Sequence, residues 1–318
     1  MATYYGVKGS SNWNSGNWST TSAKDASRTG SGVTPTASDD CIIDDWTSDG
    51  GGVIWTVNAT SCVCKSLVCT GYAGDLAFTA SQILAISGNI TFANTMTISG
   101  TGILRPAASG TLTMAGLTFP GTVSFTSSLT VTLTGNLTIT NGLDLLSTVT
   151  FAGAYNITCG NLLLGGSKTI TLVSGQTLTI SSSIVSAANQ FGANKIQSGT
   201  ASSSTAFIYQ GTTANCKIAG MQFTDIDASS SSVPIFNWGG GTLTRCTNIY
   251  NATALDFPIA TDAGKIISGN TLTGIAGTYH EATTAEVQSG VTFGASSALT
   301  GTYSGGGGVN MPRTRVGH

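Results

Sequence analysis

The chain has 318 residues, of which 40% are hydrophobic and 8% charged, with a formal net charge of -2. That apolar content excludes a disordered chain, and the near-neutral balance excludes broad electrostatic attraction to nucleic acid or to an anionic membrane surface. No run approaches the ~18 consecutive apolar residues of a spanning helix, so neither nucleic acid nor membrane is an expected partner.

The first 52 residues read as a cap and attachment segment. Trp13, Trp18 and Trp46 stand there among serine, asparagine and glycine. The open end of a strand stack presents unpaired backbone and needs such a cover. Trp13 and Trp18 are the candidate partner-binding residues of this segment. Its opening, MATYYGVKGSSNW, has neither the charged nor the apolar region of a secretory signal, which predicts assembly in a cytoplasm. Further on, DDCIIDD places Asp39, Asp40, Asp44 and Asp45 around a short apolar run. Clustered carboxylates suit a hard cation such as calcium. Neither EF-hand spacing nor a GGxGxD repeat accompanies them, and aspartates that close the loops at both ends of a strand produce the same pattern.

From 53 to 190, apolar residues alternate with threonine and serine. Examples are ILAISGNITF (83–92), TLTMAGLTF (111–119), TVTLTGNLTIT (130–140) and QTLTISSSIV (176–185). A period of two is the signature of strands with one buried face. Gly88, Gly116, Gly135 and Gly160 recur at intervals near those of one solenoid turn. We therefore expect short coils stacked into a parallel β-helix, with Val, Ile and Leu inward and β-branched threonine outward. The Gly-Asn pairs at 88–89, 135–136 and 160–161 are expected at the corners, since both residues tolerate positive φ. A β-sandwich gives similar alternation, but usually with a more charged wet face and hairpin turns. Residues 191–258 read as wider coils of the same kind. Residues 259–318 form a C-terminal segment with a glycine linker, SGGGGVN (304–310), and a basic tail carrying Arg313 and Arg315.

Few residues can carry chemistry. TDID puts Asp225 and Asp227 two apart, and on one strand they would share a face. They are the candidate acid and base of a glycoside-cleaving pair, although structural turn aspartates fit the same spacing. Cys62, Cys64 and Cys69 form a C-x-C-x4-C pattern. A structural zinc site wants four ligands at paired spacings, so free, buried thiols are the simpler expectation. His280 and Glu281 adjoin each other without a nucleophile motif. Sequons at Asn89, Asn136 and Asn156 are explained by the expected corners rather than by glycosylation. No cofactor is expected.

Two segments carry a resemblance. NWNSGNWS (12–19), PTASDDCIIDD (35–45), WTVN (55–58) and CKSLVCTGYAGDLAF (64–78) together resemble the opening of bacterial and phage surface proteins in which such a segment introduces a parallel β-helix. AEVQSGVTFGASSALTGTY (285–303) is similar to a short segment recurring in structural proteins of tailed bacteriophages. The resemblance implies an all-β, right-handed parallel β-helix on a virion surface, commonly trimeric. The function it leads us to expect is a non-enzymatic protein that decorates or cements a phage capsid, with the major capsid protein as partner and Arg313 and Arg315 reaching an acidic patch on it. The alternatives are a tail fibre or tailspike adhesin that binds a host glycan, and a polysaccharide depolymerase built on Asp225 and Asp227.

Overall fold

The computed structural model describes residues 1–48, 52–186, 194–212, 216, 218–238 and 241–252, with four two-residue strands beyond residue 255. The chain is all-β, with one short helix, Asp45–Ser48, among the described residues. Four sheets organise the described residues of the unit Met1–Leu255: three that the chain visits in turn, and a three-stranded one of Ile218–Ala219, Ile235–Trp238 and Ile249–Ala252. Sheet A has twelve strands, among them Thr3–Gly6, Asp40–Asp44, Ser66–Thr70, Leu129–Leu133, Thr169–Leu172 and Gln222–Thr224. Sheet C has ten, running from Cys62–Cys64 through Leu137–Leu145 to Ile226–Asp227. Sheet B is confined to the N-terminal coils, with Ser11–Asn12, Ile54–Val57, Asp75–Phe78 and Thr97–Gly100.

Neighbouring strands within each sheet are parallel and belong to successive coils. Leu129 pairs with Val149, 20 positions later (149 − 129), and Thr169 with Lys195, 26 later (195 − 169). Coils of this size are the ones the glycine spacing predicts, but their length does not grow along the chain: Cys41 pairs with Leu67, 26 later (67 − 41), and Phe223 with Leu243, 20 later (243 − 223). The antiparallel hairpins of a sandwich are missing from this unit's described residues. The exception is Trp18–Ser19, which runs antiparallel along Thr3–Gly6 and covers the first edge of sheet A. Sheet A thus begins at Thr3, and its ladders run without interruption across the predicted boundary at residue 52.

Alternation converts directly into burial. In Leu129–Leu133 the leucines and Val131 point inward, while Thr130 and Thr132 point out. Inward aliphatic rows stack coil on coil, and Phe78–Phe119, Phe125–Phe151 and Phe207–Phe223 meet edge to face at 5.0, 5.5 and 6.1 Å, the geometry aromatic pairs prefer. Outward, threonine forms rows. Thr118, Thr138, Thr158 and Thr179 are register partners across four strands of sheet C. Thr130, Thr150 and Thr171 line up in sheet A, continuing through Gln197 to Thr224 and Thr244.

The Gly-Asn pairs work differently from the expectation: those at 88–89 and 135–136 lie between strands, but 160–161 sits inside the strand Ile157–Leu164, at a register shift against the next coil. Neither residue of the three pairs has a positive φ; the left-handed positions fall instead at Ser81, Ala115, Ser167 and Ser202 and at glycines such as Gly100 and Gly153. Close approach is what excludes a side chain at Gly160, where a Cβ would lie 2.3 Å from the Thr140 carbonyl oxygen of the previous coil. The asparagines tie coils together. The side-chain oxygens of Asn89, Asn136 and Asn156 accept the backbone N–H groups of Thr111, Asn156 and Thr177, one coil on, at 2.9, 2.9 and 3.0 Å. At Gly135 nothing lies within 4 Å of the added atom. Gly135→Ala is therefore expected to be neutral or to stabilise by up to about 1 kcal/mol through the unfolded state, whereas Gly160→Ala destabilises. Urea unfolding midpoints of the two variants measure the difference.

The second unit, Asp256–His318, is described only by two antiparallel pairs, Thr271–Leu272 with Ile275–Ala276 and Thr292–Phe293 with Leu299–Thr300. His280, Glu281, the glycine linker, Arg313 and Arg315 lie outside the described residues.

Candidate functional site

The aspartate-rich strand Asp40–Asp44 holds its carboxylates apart. At about 3.3 Å per residue its ends are separated by about 13 Å, and each acid has its own partner. Asp39 is buried and accepts from the Ala2 N–H at 2.8 Å and from the Thr36 N–H and hydroxyl at 3.0 and 2.6 Å. Asp40 takes the Ser66 hydroxyl, with Lys65 at 3.6 Å. Asp44 is bridged twice by the guanidinium of Arg28, at 2.7 and 3.0 Å. Asp45 pairs with Lys24. Four carboxylates thus serve four local ties, and no group of three or more His, Cys, Asp or Glu among the described residues is placed to hold a metal ion.

Arg28 is the residue the sequence did not announce. Its side chain is fully buried, donates also to the carbonyls of Ala23 and Ser22 at 3.0 and 2.8 Å, and lies over the Tyr5 ring at 5.2 Å. A lone arginine in a polar loop, 16 positions from its acid, leaves no periodic signature. Its one legible mark is being a cation in a charge-poor chain.

Asp225 and Asp227 do not share a strand. Gln222–Thr224 belongs to sheet A and Ile226–Asp227 to sheet C, with Asp225 at the corner between them in the left-handed conformation, φ 57°. The alternation that would have put both carboxylates on one face is broken there. Asp225 is 2% exposed and is held by Arg245, whose Nη2 donates to Oδ2 at 2.8 Å while Nε donates to Oδ1. Asp227 instead accepts the Ser229 N–H at 2.9 Å, closing a turn. The hydrogen bonds from Arg245 hold the Asp225 carboxyl below the usual aspartate range, the opposite of what a general acid requires.

These ties carry a pH dependence. Asp39 is lowered by its hydrogen bonds from Thr36 and Ala2. A folded pKa below the unfolded one gives stability that is complete above the unfolded value and lost as pH falls through the folded one. The unfolding midpoint should therefore drop below about pH 3.9, the ordinary aspartate value. Asp39→Asn should flatten that limb in a pH series of thermal melts.

Trp13 and Trp18 are not available to a partner. Both are fully buried and form an edge-to-face chain with Trp55, with centroids 4.9 and 4.6 Å apart. The Trp18 indole donates to the Trp13 carbonyl at 2.9 Å. They close the end of the stack from inside, packed in the same core as Cys41, Ile43 and Trp55.

All seven cysteines are free thiols, and six are buried. Cys62 and Cys64 point inward from one strand of sheet C, as their spacing predicts, and Cys69 points inward from sheet A. Burial pushes the Cys159 and Cys216 thiols up to about 12, so they behave as small apolar side chains.

One carboxylate departs from this pattern. Asp144 is the sole acid between Asp75 and Asp225, and it faces outward, half-buried, on Leu137–Leu145 of sheet C. Burial alone shifts its carboxyl, upward, and no described donor or cation reaches it. Compared with known protein families, with curated proteins and with solved structures, the chain matches none.

Proposed function

We propose that this chain is a non-enzymatic structural protein of a bacteriophage virion, folded as a right-handed parallel β-helix and decorating or cementing the capsid as a homotrimer. One observation carries the reading: coil-on-coil parallel sheets whose outward rows are uncharged threonine, with nearly every described carboxylate spent on holding a loop or a corner. Such an exterior suits a stiff element that coats rather than transforms. Right-handedness is supported by the general rule that crossovers between parallel strands of one sheet are right-handed in about 98% of cases. The engagement of Asp225 by Arg245 speaks against the depolymerase alternative.

The C-terminal tail, with Arg313 and Arg315 beyond a glycine linker, is the proposed contact to an acidic patch of the major capsid protein. Particles labelled for this chain and imaged by electron microscopy should show density over the head. Deleting 304–318 should empty those positions. Label on the tail, or unchanged occupancy after the deletion, would count against the assignment.

A further inference from the structure

Arg105 and Asp144 are opposite charges on one sheet face, and the chain itself uses neither. Arg28 and Arg245 each clamp an aspartate. Among the described residues, no side-chain hydrogen bond or ion pair reaches Arg105 or Asp144, and the Arg105 Nε is buried without an acceptor. Leu104 pairs with Val123 in sheet C, so Arg105 and Ser124 are the next positions of neighbouring strands, and Ser124 pairs with Asp144. The two charges thus flank Ser124 on the outward face, two strand spacings or about 9.6 Å apart.

Ser124 is also the centre of a near-palindrome. On one side of the outward row stand Arg105, Ala85 and Val63. On the other stand Asp144, Leu163 and Val185. A two-fold axis along the Ser124 strand, midway between two facing copies of sheet C, sets Arg105 of one copy against Asp144 of its partner, twice. The same operation sets the small Ala85 against Leu163, and Val63 against Val185. In the next row Ile103 comes over Gly142, which has no side chain, and Ile83 meets Asn161. The Asn161 amide is already satisfied in its own sheet, accepting from Ser183 at 2.6 Å and donating to the Asn141 carbonyl at 3.4 Å. Facing sheets lie about 10 Å apart, a gap that an extended arginine and an aspartate span together. A two-fold axis along the stack would instead bring Arg105 against Arg105.

We propose that the outward face of sheet C is a docking surface for a second copy of this chain, turned end for end, with Arg105 and Asp144 exchanging ion pairs across the two-fold axis. A self-complementary patch is what an isologous contact requires. Half-buried Leu163 and exposed Val185 supply apolar area beside the pairs. The contact goes beyond the threefold assembly proposed above, and combined with it gives six chains rather than three.

The experiment is sedimentation velocity of the full chain over a concentration series. Wild type should contain an even number of chains. Arg105→Asp and Asp144→Arg should each halve that mass, because each sets like charges together at both pairs. Mixing the two variants should restore it, since every reversed charge then faces an opposite one, and exchanging both charges within one chain should do the same. Circular dichroism melts report whether each variant folds. Should a reversal prevent folding, Arg105→Gln and Asp144→Asn replace it. Each should raise the association midpoint about tenfold or more, by leaving two charges unpaired at the contact. Wild type of one or three chains at every concentration, unchanged mass in the single variants, or folded variants that stay apart when mixed overturns the proposal. Labelling of the virion tests the capsid assignment separately, so the two readings fail independently.

Discussion

Replacing Trp18 with alanine is expected to lower the unfolding free energy by about 3–5 kcal/mol, the range for truncating a fully buried aromatic residue. Trp18 lies between Trp13 and Trp55 with its indole N–H satisfied, so the variant loses packing on two sides and strands the Trp13 carbonyl. The loss should be local. In a coil-on-coil architecture each layer is stabilised chiefly by its neighbours, and hydrogen exchange should accelerate in Thr3–Gly6 and Ile54–Val57 well before Thr177–Ser186 responds. A partner-binding tryptophan would behave in the opposite way. Unchanged chemical denaturation of Trp18→Ala, with partner binding lost, would restore the surface role that the sequence suggests.

Arg28→Ala is expected to destabilise by a similar amount, about 3–5 kcal/mol, because it leaves Asp44 buried without its counter-charge. The Asp44 side chain is 8% exposed and retains only Thr47 as a donor once the guanidinium is gone. The double variant Arg28→Met with Asp44→Leu should recover a large part of the loss, since an apolar pair of similar volume removes both desolvation penalties together. Equilibrium denaturation of wild type, both single variants and the double variant forms a cycle. A double variant no better than Arg28→Ala would mean that the guanidinium acts mainly through the Ala23 and Ser22 carbonyls.

Local pattern and three-dimensional neighbourhood separate clearly in this protein. Alternation in 130–140 placed Val131 and Leu133 inside and Thr132 outside because a strand's side chains point to opposite faces by covalent geometry alone. The same rule placed Cys62 and Cys64 on one face. It failed at Asp225, where a single residue in the left-handed region turns the chain from one sheet to another and cancels the parity on which the pairing with Asp227 depended. It was silent on the Gly-Asn pairs, whose glycine at 160, inside a strand, and asparagines at 89 and 136 answer to a carbonyl or an N–H on a neighbouring coil about 20 residues away.

From residue order alone came the all-β class, the stacked coils, the inward aliphatic rows and the uncharged threonine exterior, all consequences of a two-residue period and a charge-poor composition. The burial of Trp13 and Trp18, the clamp of Arg28 on Asp44, and the separate employment of Asp39, Asp40, Asp44 and Asp45 emerged only with the folded chain. The physical reason is range. Strand parity is set within a few bonds, whereas the partner of a charge or an indole depends on which coils come to lie against each other.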